Sequence, residues 1–148
     1  MDDLKLALKT LLADIFVMYF KTQSYHWNVE GIEFSQYHKF FGKIYEEVYS
    51  SIDVTAEQIR ALDEYAPMSI SEMYDLKTIE EDTTRPILLV DMLTNLQTAN
   101  NAIIDNLNKL FALASEQNEQ GVADFAAGRI DTHKKHGWML RSSLKKIG

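Results

Sequence analysis

Four long amphipathic stretches dominate this sequence, and they restrict the chain to an all-helical fold. In each stretch apolar side chains recur every three or four residues, the spacing that places them on one face of an α-helix. Strand signals are nearly absent. The four stripes run through Leu4, Leu8, Leu11, Ile15, Met18, Thr22, His26 and Val29; Phe34, His38, Phe41, Tyr45, Val48, Ile52, Ile59 and Leu62; Leu89, Leu93, Leu96, Ile103, Leu107, Leu110 and Ala114; and Val122, Ala126, Ile130, His133, Leu140, Leu144 and Ile147.

Turn-forming residues divide these stretches into two pairs. Gly31 separates the first pair and Gly121 the second. Between the pairs, residues 69–73 predict a short capped helix, and residues 84–86 predict the start of the third long helix. Two up-down pairs joined by one long crossover form the ferritin-like four-helix topology, so we expect a single domain over residues 1–148. The pattern alone leaves a cytokine-like or signalling bundle open.

Composition favours a cytoplasmic protein. The chain has no cysteine, so no disulfide scaffold is expected. No apolar run approaches the roughly 20 residues that span a bilayer. The first residues, Met1-Asp2-Asp3-Leu4, lack the basic segment of a secretory signal.

The net charge of −7 opposes generic binding to nucleic acids. The charge is uneven, because residues 53–82 are acidic and residues 129–148 are basic. We interpret the basic end as the C-terminus of a helix, where cations complement the helix dipole.

Four side chains of metal-ligand type are the main functional candidates: His26, His38, Asp53 and Glu57. Imidazole and carboxylate without thiolate suit iron, manganese or zinc. If residues 34–62 form one helix, His38 and Asp53 lie about 22 Å apart, at about 1.5 Å per residue. No metal spans that distance, so either the residues are unrelated or the two pairs meet between two copies of the chain.

Each pair also has an ordinary structural interpretation. His26 and His38 lie on apolar stripes at similar heights on either side of Gly31, where a histidine is often a core residue with satisfied hydrogen bonds. Asp53 and Glu57 lie on a polar stripe that suits a solvated helix face, with Glu57 and Arg60 as a weak i,i+3 pair.

The local sequence around these residues resembles the Dps-type mini-ferritins. The resemblance rests on His26-Trp27-Asn28-Val29-Glu30-Gly31 with Phe34 and His38, on Asp53-x-x-Ala56-Glu57-x-Ile59-Arg60-Ala61-Leu62, and on the later stretches Ser71-Glu72-Met73 and His133-x-x-His136-x-Trp138-Met139-Leu140. It covers essentially the whole chain.

The resemblance implies a hollow dodecamer with iron sites at two-fold interfaces. His26 and His38 would come from one subunit, and Asp53 and Glu57 from its neighbour. All four would be metal ligands and catalytic residues of a ferroxidase that oxidises Fe(II), with hydrogen peroxide as the oxidant. Neutral imidazole suits Fe(II), and carboxylate oxygens suit the Fe(III) product.

The resemblance also suggests where iron enters and where mineral forms. Acidic residues such as Glu46 or Glu47 would nucleate ferric oxide in the cavity, with plain surface carboxylates as the alternative. An iron entry pore would be lined by Glu116, Glu119, Asp124 and Asp131.

One position departs from the family pattern. Family members commonly carry an acidic residue four positions after the second histidine, where this chain has Gly42. The change removes a carboxylate, so we expect one well-formed metal position in each half-interface and leave the second open. Gly42 should also weaken its helix by roughly 1 kcal/mol relative to alanine.

Two other functions stay open at this point. Some relatives protect DNA through a lysine-rich tail, but here the first helix begins near Leu4 after two aspartates, so we expect little DNA binding. The third possibility is a structural homologue with weakened chemistry, which Gly42 keeps open.

Overall fold

The computed structural model describes residues 1–146, and within them the chain forms five helices and no strand. They are α1 (Asp2–Asn28), α2 (Phe34–Ala61), α3 (Ile70–Leu76), α4 (Leu89–Glu116) and α5 (Gln120–Leu144). The predicted all-α class and the short helix in the connection are confirmed. Ile147, which the sequence pattern assigned to the last stripe, lies outside the described residues.

The four long helices form a bundle with one core. α1 packs against α2 and α4, α4 packs against α5, and α3 lies on α1. The predicted stripes line the interior. Its largest fully buried side chains are Phe41, Leu4, Leu8, Leu11, Leu12, Ile15, Met18, Ile44, Ile59, Met92, Leu96 and Ile103. No helix among residues 1–146 is long and apolar enough to cross a membrane.

The hairpin between α1 and α2 is tight, which brings the end of α1 beside the start of α2. α1 ends at Asn28, Val29 is extended, and Gly31 takes a positive φ of 113°. Only glycine adopts such a φ without strain. The amide of Phe34 then donates to the Gly31 carbonyl at 3.1 Å, so His26 and His38 face each other across the turn.

The other two boundaries differ from the sequence predictions. α4 begins at Leu89 rather than at residues 84–86, where the Thr84 amide donates to the Asp82 carboxylate at 2.9 Å and the backbone is not helical. Gly121 lies inside the first turn of α5. The break between α4 and α5 is made by Asn118, at φ 59°.

Asn118 ends α4 in a way that the glycine pattern did not reveal. Asparagine tolerates the left-handed conformation better than most residues. The next amide, Glu119 N, donates back to the Ala114 carbonyl at 2.9 Å, as in a Schellman cap.

The crossover between α2 and α4 is held on α1 by polar contacts. Lys21 donates to the Glu80 carbonyl at 2.7 Å, and the Tyr25 hydroxyl donates to Asp82 at 2.5 Å. The short helix α3 begins with a side-chain N-cap: the Glu72 amide donates to the Ser69 hydroxyl at 3.1 Å. The crossover is thus fixed beside the end of α1 that carries His26.

Candidate functional site

The two candidate histidines lie together at the α1–α2 turn. The imidazole rings of His26 and His38 stack with their centroids 3.8 Å apart and their planes inclined by 14°. Phe34 stacks on the outer face of His38 at 5.0 Å, and Tyr45 meets His26 edge-on at 5.2 Å. Both histidines are half-buried.

Reciprocal hydrogen bonds fix the proton on each ring. His26 Nδ1 donates to the His38 carbonyl at 2.5 Å, and His38 Nδ1 donates to the His26 carbonyl at 2.7 Å. A carbonyl only accepts, so each Nδ1 must carry the hydrogen. In the neutral rings Nε2 therefore keeps its lone pair, the state in which histidine binds a metal.

Asp53 and Glu57 lie farther along α2, on its exposed side. α2 runs unbroken from Phe34 to Ala61, as the distance argument assumed. Fifteen residues at about 1.5 Å each separate His38 from Asp53 by about 22 Å. Within residues 1–146, no three side chains of metal-ligand type come together.

Glu57 does not form the expected pair with Arg60. The Arg60 guanidinium donates to the Glu64 carbonyl at 2.8 Å and lies over the Tyr65 ring at 4.9 Å. Among residues 1–146 neither Asp53 nor Glu57 has a salt bridge, so both carboxylates face solvent without a cation.

A second polar cluster lies inside the bundle, and the sequence patterns did not predict it. Arg129 donates through Nη1 and Nη2 to the two oxygens of Glu47, at 2.6 and 3.1 Å. His136 Nε2 donates to Glu47 at 2.7 Å. His133 and Asn100 complete the cluster, which joins α2, α4 and α5.

The proton on His133 follows from its partners. Asn100 Nδ2 donates to the His133 carbonyl at 2.8 Å, so the amide oxygen of Asn100 is free to accept from His133 Nδ1 at 2.9 Å. His133 Nε2 then accepts from Arg129 Nη2 at 2.7 Å. Two buried nitrogens of the cluster, Arg129 Nε and His136 Nδ1, have no partner within residues 1–146.

The cluster holds one carboxylate charged and one imidazole neutral. Burial raises the pKa of Glu47, but hydrogen bonds and positive charge from His136 and Arg129 outweigh it and lower the pKa to about 2. Burial, reinforced by the charge of Arg129, lowers the pKa of His133 well below its usual range. Arg129 therefore acts as the internal cation of this cluster.

Comparison with known proteins identifies the family. The model of the ferritin-like domain matches residues 5–148. The Dps protein of Vibrio cholerae O1, described as a member of the ferritin-like diiron-carboxylate proteins, superposes with a TM-score of 0.93 at 30% identity, covering 97% of this chain and 90% of that one. The chain is a Dps-type mini-ferritin. Dps from Thermosynechococcus elongatus superposes with a TM-score of 0.96 at 26% identity, covering 99% of this chain and 92% of that one.

A further relative is a low temperature-induced protein of Nostoc sp., which is 33% identical over 135 residues, 90% of this chain and 75% of that protein. As a Dps-type mini-ferritin, the chain is an iron-binding protein. The predicted family and fold are confirmed by these matches.

The remaining acidic candidates of this mini-ferritin differ in their surroundings. Glu47 is bound within the internal cluster, which speaks against the expectation that it nucleates mineral, whereas Glu46 is exposed. Of the expected pore residues, Glu116, Asp124 and Asp131 are exposed and Glu119 is half-buried. Their role in iron entry stays a prediction.

Proposed function

We propose that this mini-ferritin is a ferroxidase whose iron sites form between two copies of the chain. His26 and His38 of one copy, with Asp53 and Glu57 of the other, would bind Fe(II), and the Fe(III) product would be stored in a hollow, dodecameric cage. The observation that carries the proposal is the His26–His38 pair: both Nδ1 atoms are bound, and within residues 1–146 both Nε2 atoms are free to ligate and no carboxylate completes a site.

The surface next to the histidines supports a protein partner. Phe20, Trp27, Phe34 and Tyr49 are each between 41% and 58% exposed, and we refer to these four side chains as the aromatic patch. Phe20, Trp27 and Tyr49 are linked through Tyr19 and Tyr45 to the His26 ring, and Phe34 stacks on His38. A contiguous apolar surface with polar groups beside it is typical of an interface.

The register along α2 supports two-fold symmetry. Tyr49, Asp53 and Glu57 follow one another at intervals of four residues, so the carboxylates continue along the face that carries the aromatic patch. The midpoint between His38 and these carboxylates falls near Tyr45 and Tyr49. A two-fold axis at that point would bring each pair of histidines to the partner's carboxylates at the same time, because an isologous contact repeats itself.

The ring geometry bears on the number of iron ions. A metal binds in the plane of an imidazole, about 2.0–2.1 Å from the nitrogen. The planes of His26 and His38 are inclined by only 14°, so they do not meet within that distance. In this arrangement each histidine would serve its own ion. The partner's Asp53 and Glu57 would complete one position, and the second would lack the carboxylate that Gly42 does not supply.

The proposed chemistry is a balanced oxidation. Two Fe(II) ions give up one electron each, and hydrogen peroxide takes up both electrons and two protons to form two water molecules. The imidazoles hold the ferrous substrate, and the carboxylates stabilise the ferric product. Peroxide as the oxidant rests on the family resemblance.

The test is complementation between two inactive variants. His26→Ala/His38→Ala keeps the carboxylates, and Asp53→Asn/Glu57→Gln keeps the histidines. Each alone should bind and oxidise little Fe(II). In mixed assemblies at equal ratio, half of the dimers are mixed and each has one complete site of two, so about a quarter of wild-type oxidation should return.

The controls separate this from a general defect. Asp105→Asn removes an exposed carboxylate of α4 and should oxidise Fe(II) at the wild-type rate. Size measurement shows whether each variant assembles. Mixed assemblies that form but stay inactive would refute shared sites. A wild-type rate of Fe(II) oxidation in either variant on its own would refute the ferroxidase assignment and favour a structural role.

We do not extend the proposal to DNA. A charge of −7 on each chain would be multiplied in a cage and would repel phosphates at physiological salt. A gel shift with DNA at low salt and at roughly 150 mM salt tests this point. A shift that persists at the higher salt would favour DNA binding over iron oxidation as the main function.

A further inference from the structure

Gly42 is in contact with the ring of His26. Gly42 is buried in α2, one helical turn after His38. A Cβ atom at this position would lie 3.3 Å from both Nδ1 and Cε1 of His26. Because Gly42 has no side chain, the imidazole of His26 can lie against the backbone of α2 at this position.

The geometry of a helix explains why this contact matters. The Cα–Cβ bond leans toward the helix N-terminus, so a side chain at position 42 would lie over the turn that contains residue 38. The His38 carbonyl accepts the helical bond from the amide of residue 42 and has a second lone pair. Glycine leaves that lone pair open, and His26 Nδ1 donates to it at 2.5 Å.

We propose that Gly42 is a positioning residue for His26: it keeps the His38 carbonyl accessible and thereby directs His26 Nε2 toward the metal. This inference rests on the proposed function. Gly42 then has two consequences for the site, since it removes one possible ligand and fixes the orientation of another. A carboxylate restored at position 42 would disturb His26 as well as add a ligand.

The His26 ring has little room to move away from a new side chain. His38 covers one face at 3.8 Å, and Tyr45 meets the ring edge-on at 5.2 Å. A methyl group at position 42 would push on the same Nδ1 atom that makes the hydrogen bond. Without that hydrogen bond, neither the tautomer of His26 nor the direction of its Nε2 atom is fixed. Loss of such a supporting hydrogen bond weakens the metal affinity of a site about 10–100-fold.

Gly42→Ala tests the inference because it adds a Cβ and no ligand. The probe is Co(II), titrated into the assembled protein and followed by its visible absorption, which reports both affinity and ligand geometry. Gly42→Ala should bind Co(II) about tenfold or more weakly, with an altered spectrum. The matched control is Gly128→Ala, since Gly128 is also helical and a Cβ there meets nothing within 4 Å; it should bind as wild type.

A double-mutant cycle links the effect to His26. In a His26→Ala background, Gly42→Ala should change Co(II) affinity no further, because the ring it displaces is gone. If Gly42→Ala alone fails to fold while His26→Ala/Gly42→Ala folds, the contact is equally supported.

Three results would overturn the inference. They are wild-type Co(II) affinity and spectrum in Gly42→Ala, an equal loss of Co(II) affinity when Gly42→Ala is added to His26→Ala, or failure of both Gly42→Ala and His26→Ala/Gly42→Ala to fold. Failure of the proposed function looks different. In that case His26→Ala/His38→Ala would bind Co(II) as well as the unaltered protein does, whatever residue stands at position 42.

Discussion

Asp14 is the residue whose loss should most clearly loosen the crossover. It lies in α1 with no exposed surface. Its carboxylate accepts from the Thr78 amide and the Thr78 hydroxyl at 2.6 Å each, from the Ile79 amide at 3.1 Å, and from Asn106 Nδ2 at 2.8 Å. One side chain thus joins α1, the crossover and α4.

The effect of Asp14→Ala can be estimated from those four donors. Thr78 is exposed, so its two donors can turn to water. Ile79 is buried and Asn106 half-buried, so these two donors lose their partner without replacement. A buried donor left unsatisfied costs about 1–3 kcal/mol, so we expect a loss of about 3 kcal/mol in the free energy of unfolding.

Denaturant unfolding of the purified protein measures the loss, and amide hydrogen exchange locates it. A local loss of about 3 kcal/mol should speed exchange of the Ile79 amide roughly 100-fold. Asp14→Asn keeps an oxygen for the two backbone amides and should lose only about 1 kcal/mol. Stability within about 0.5 kcal/mol of wild type, with unchanged exchange at Ile79, would show that Asp14 does not anchor the crossover.

Three further predictions concern the internal cluster and the crossover. His133 stays neutral in the fold, whereas an unfolded histidine takes a proton near pH 6.5. The free energy of unfolding should therefore fall below that pH by up to about 1.4 kcal/mol per pH unit. Melting curves at several pH values should show a smaller dependence of stability on pH in His133→Asn, and an equal dependence would contradict the buried neutral state. The ionised Glu47 carboxylate adds stability that is complete above pH 4.5 and is lost toward about pH 2. Glu47→Gln should therefore lower the free energy of unfolding at pH 7 by about 2 kcal/mol, after allowance for the partial exposure of Glu47. The control Glu46→Gln should change it very little. Ser69→Ala removes the cap of α3 and should lower the opening free energy of the amides in Ile70–Leu76, measured by hydrogen exchange, by about 1 kcal/mol. The melting temperature of the bundle should stay nearly unchanged.

Helix number and order were predictable because the stripes depend only on local spacing. The observed bounds of α2, Phe34–Ala61, differ by one residue from the predicted range. The start of α5 was missed because Asn118, not glycine, takes the left-handed conformation there. Such a choice depends on a single backbone angle, which periodicity does not report.

The internal cluster was missed for a different reason. Arg129 was counted as one cation of a basic helix end, and Glu47 as a free acidic side chain, whereas the two are bound to each other across 82 residues of sequence. A usable signal was present. Positions 122, 126, 129, 133, 136 and 140 are all buried along one stripe of α5, and Arg129 and His136 occupy two of them. A charged residue at an apolar position predicts a buried partner.

The candidate metal residues show what a single sequence can and cannot predict. The pairing of His26 with His38 followed from the turn, and the structure brings their rings together. The separation of Asp53 from His38 followed from helix rise alone. The reciprocal hydrogen bonds to backbone carbonyls, and the contact of His26 with Gly42, depend on ring orientations that no spacing rule contains.

The unbroken α2 has a consequence for where iron chemistry takes place in the proposed function. A helix that carries His38 and Asp53 about 22 Å apart is rigid over that distance, so no rearrangement of side chains within one chain brings them to a common metal. A folded but unassembled subunit would hold Fe(II) by imidazole alone, without the carboxylates that favour the ferric state. Oxidation would then begin only when two copies meet. Since the same contact would build the proposed cage, the ferric product would form where a cavity is present to receive it.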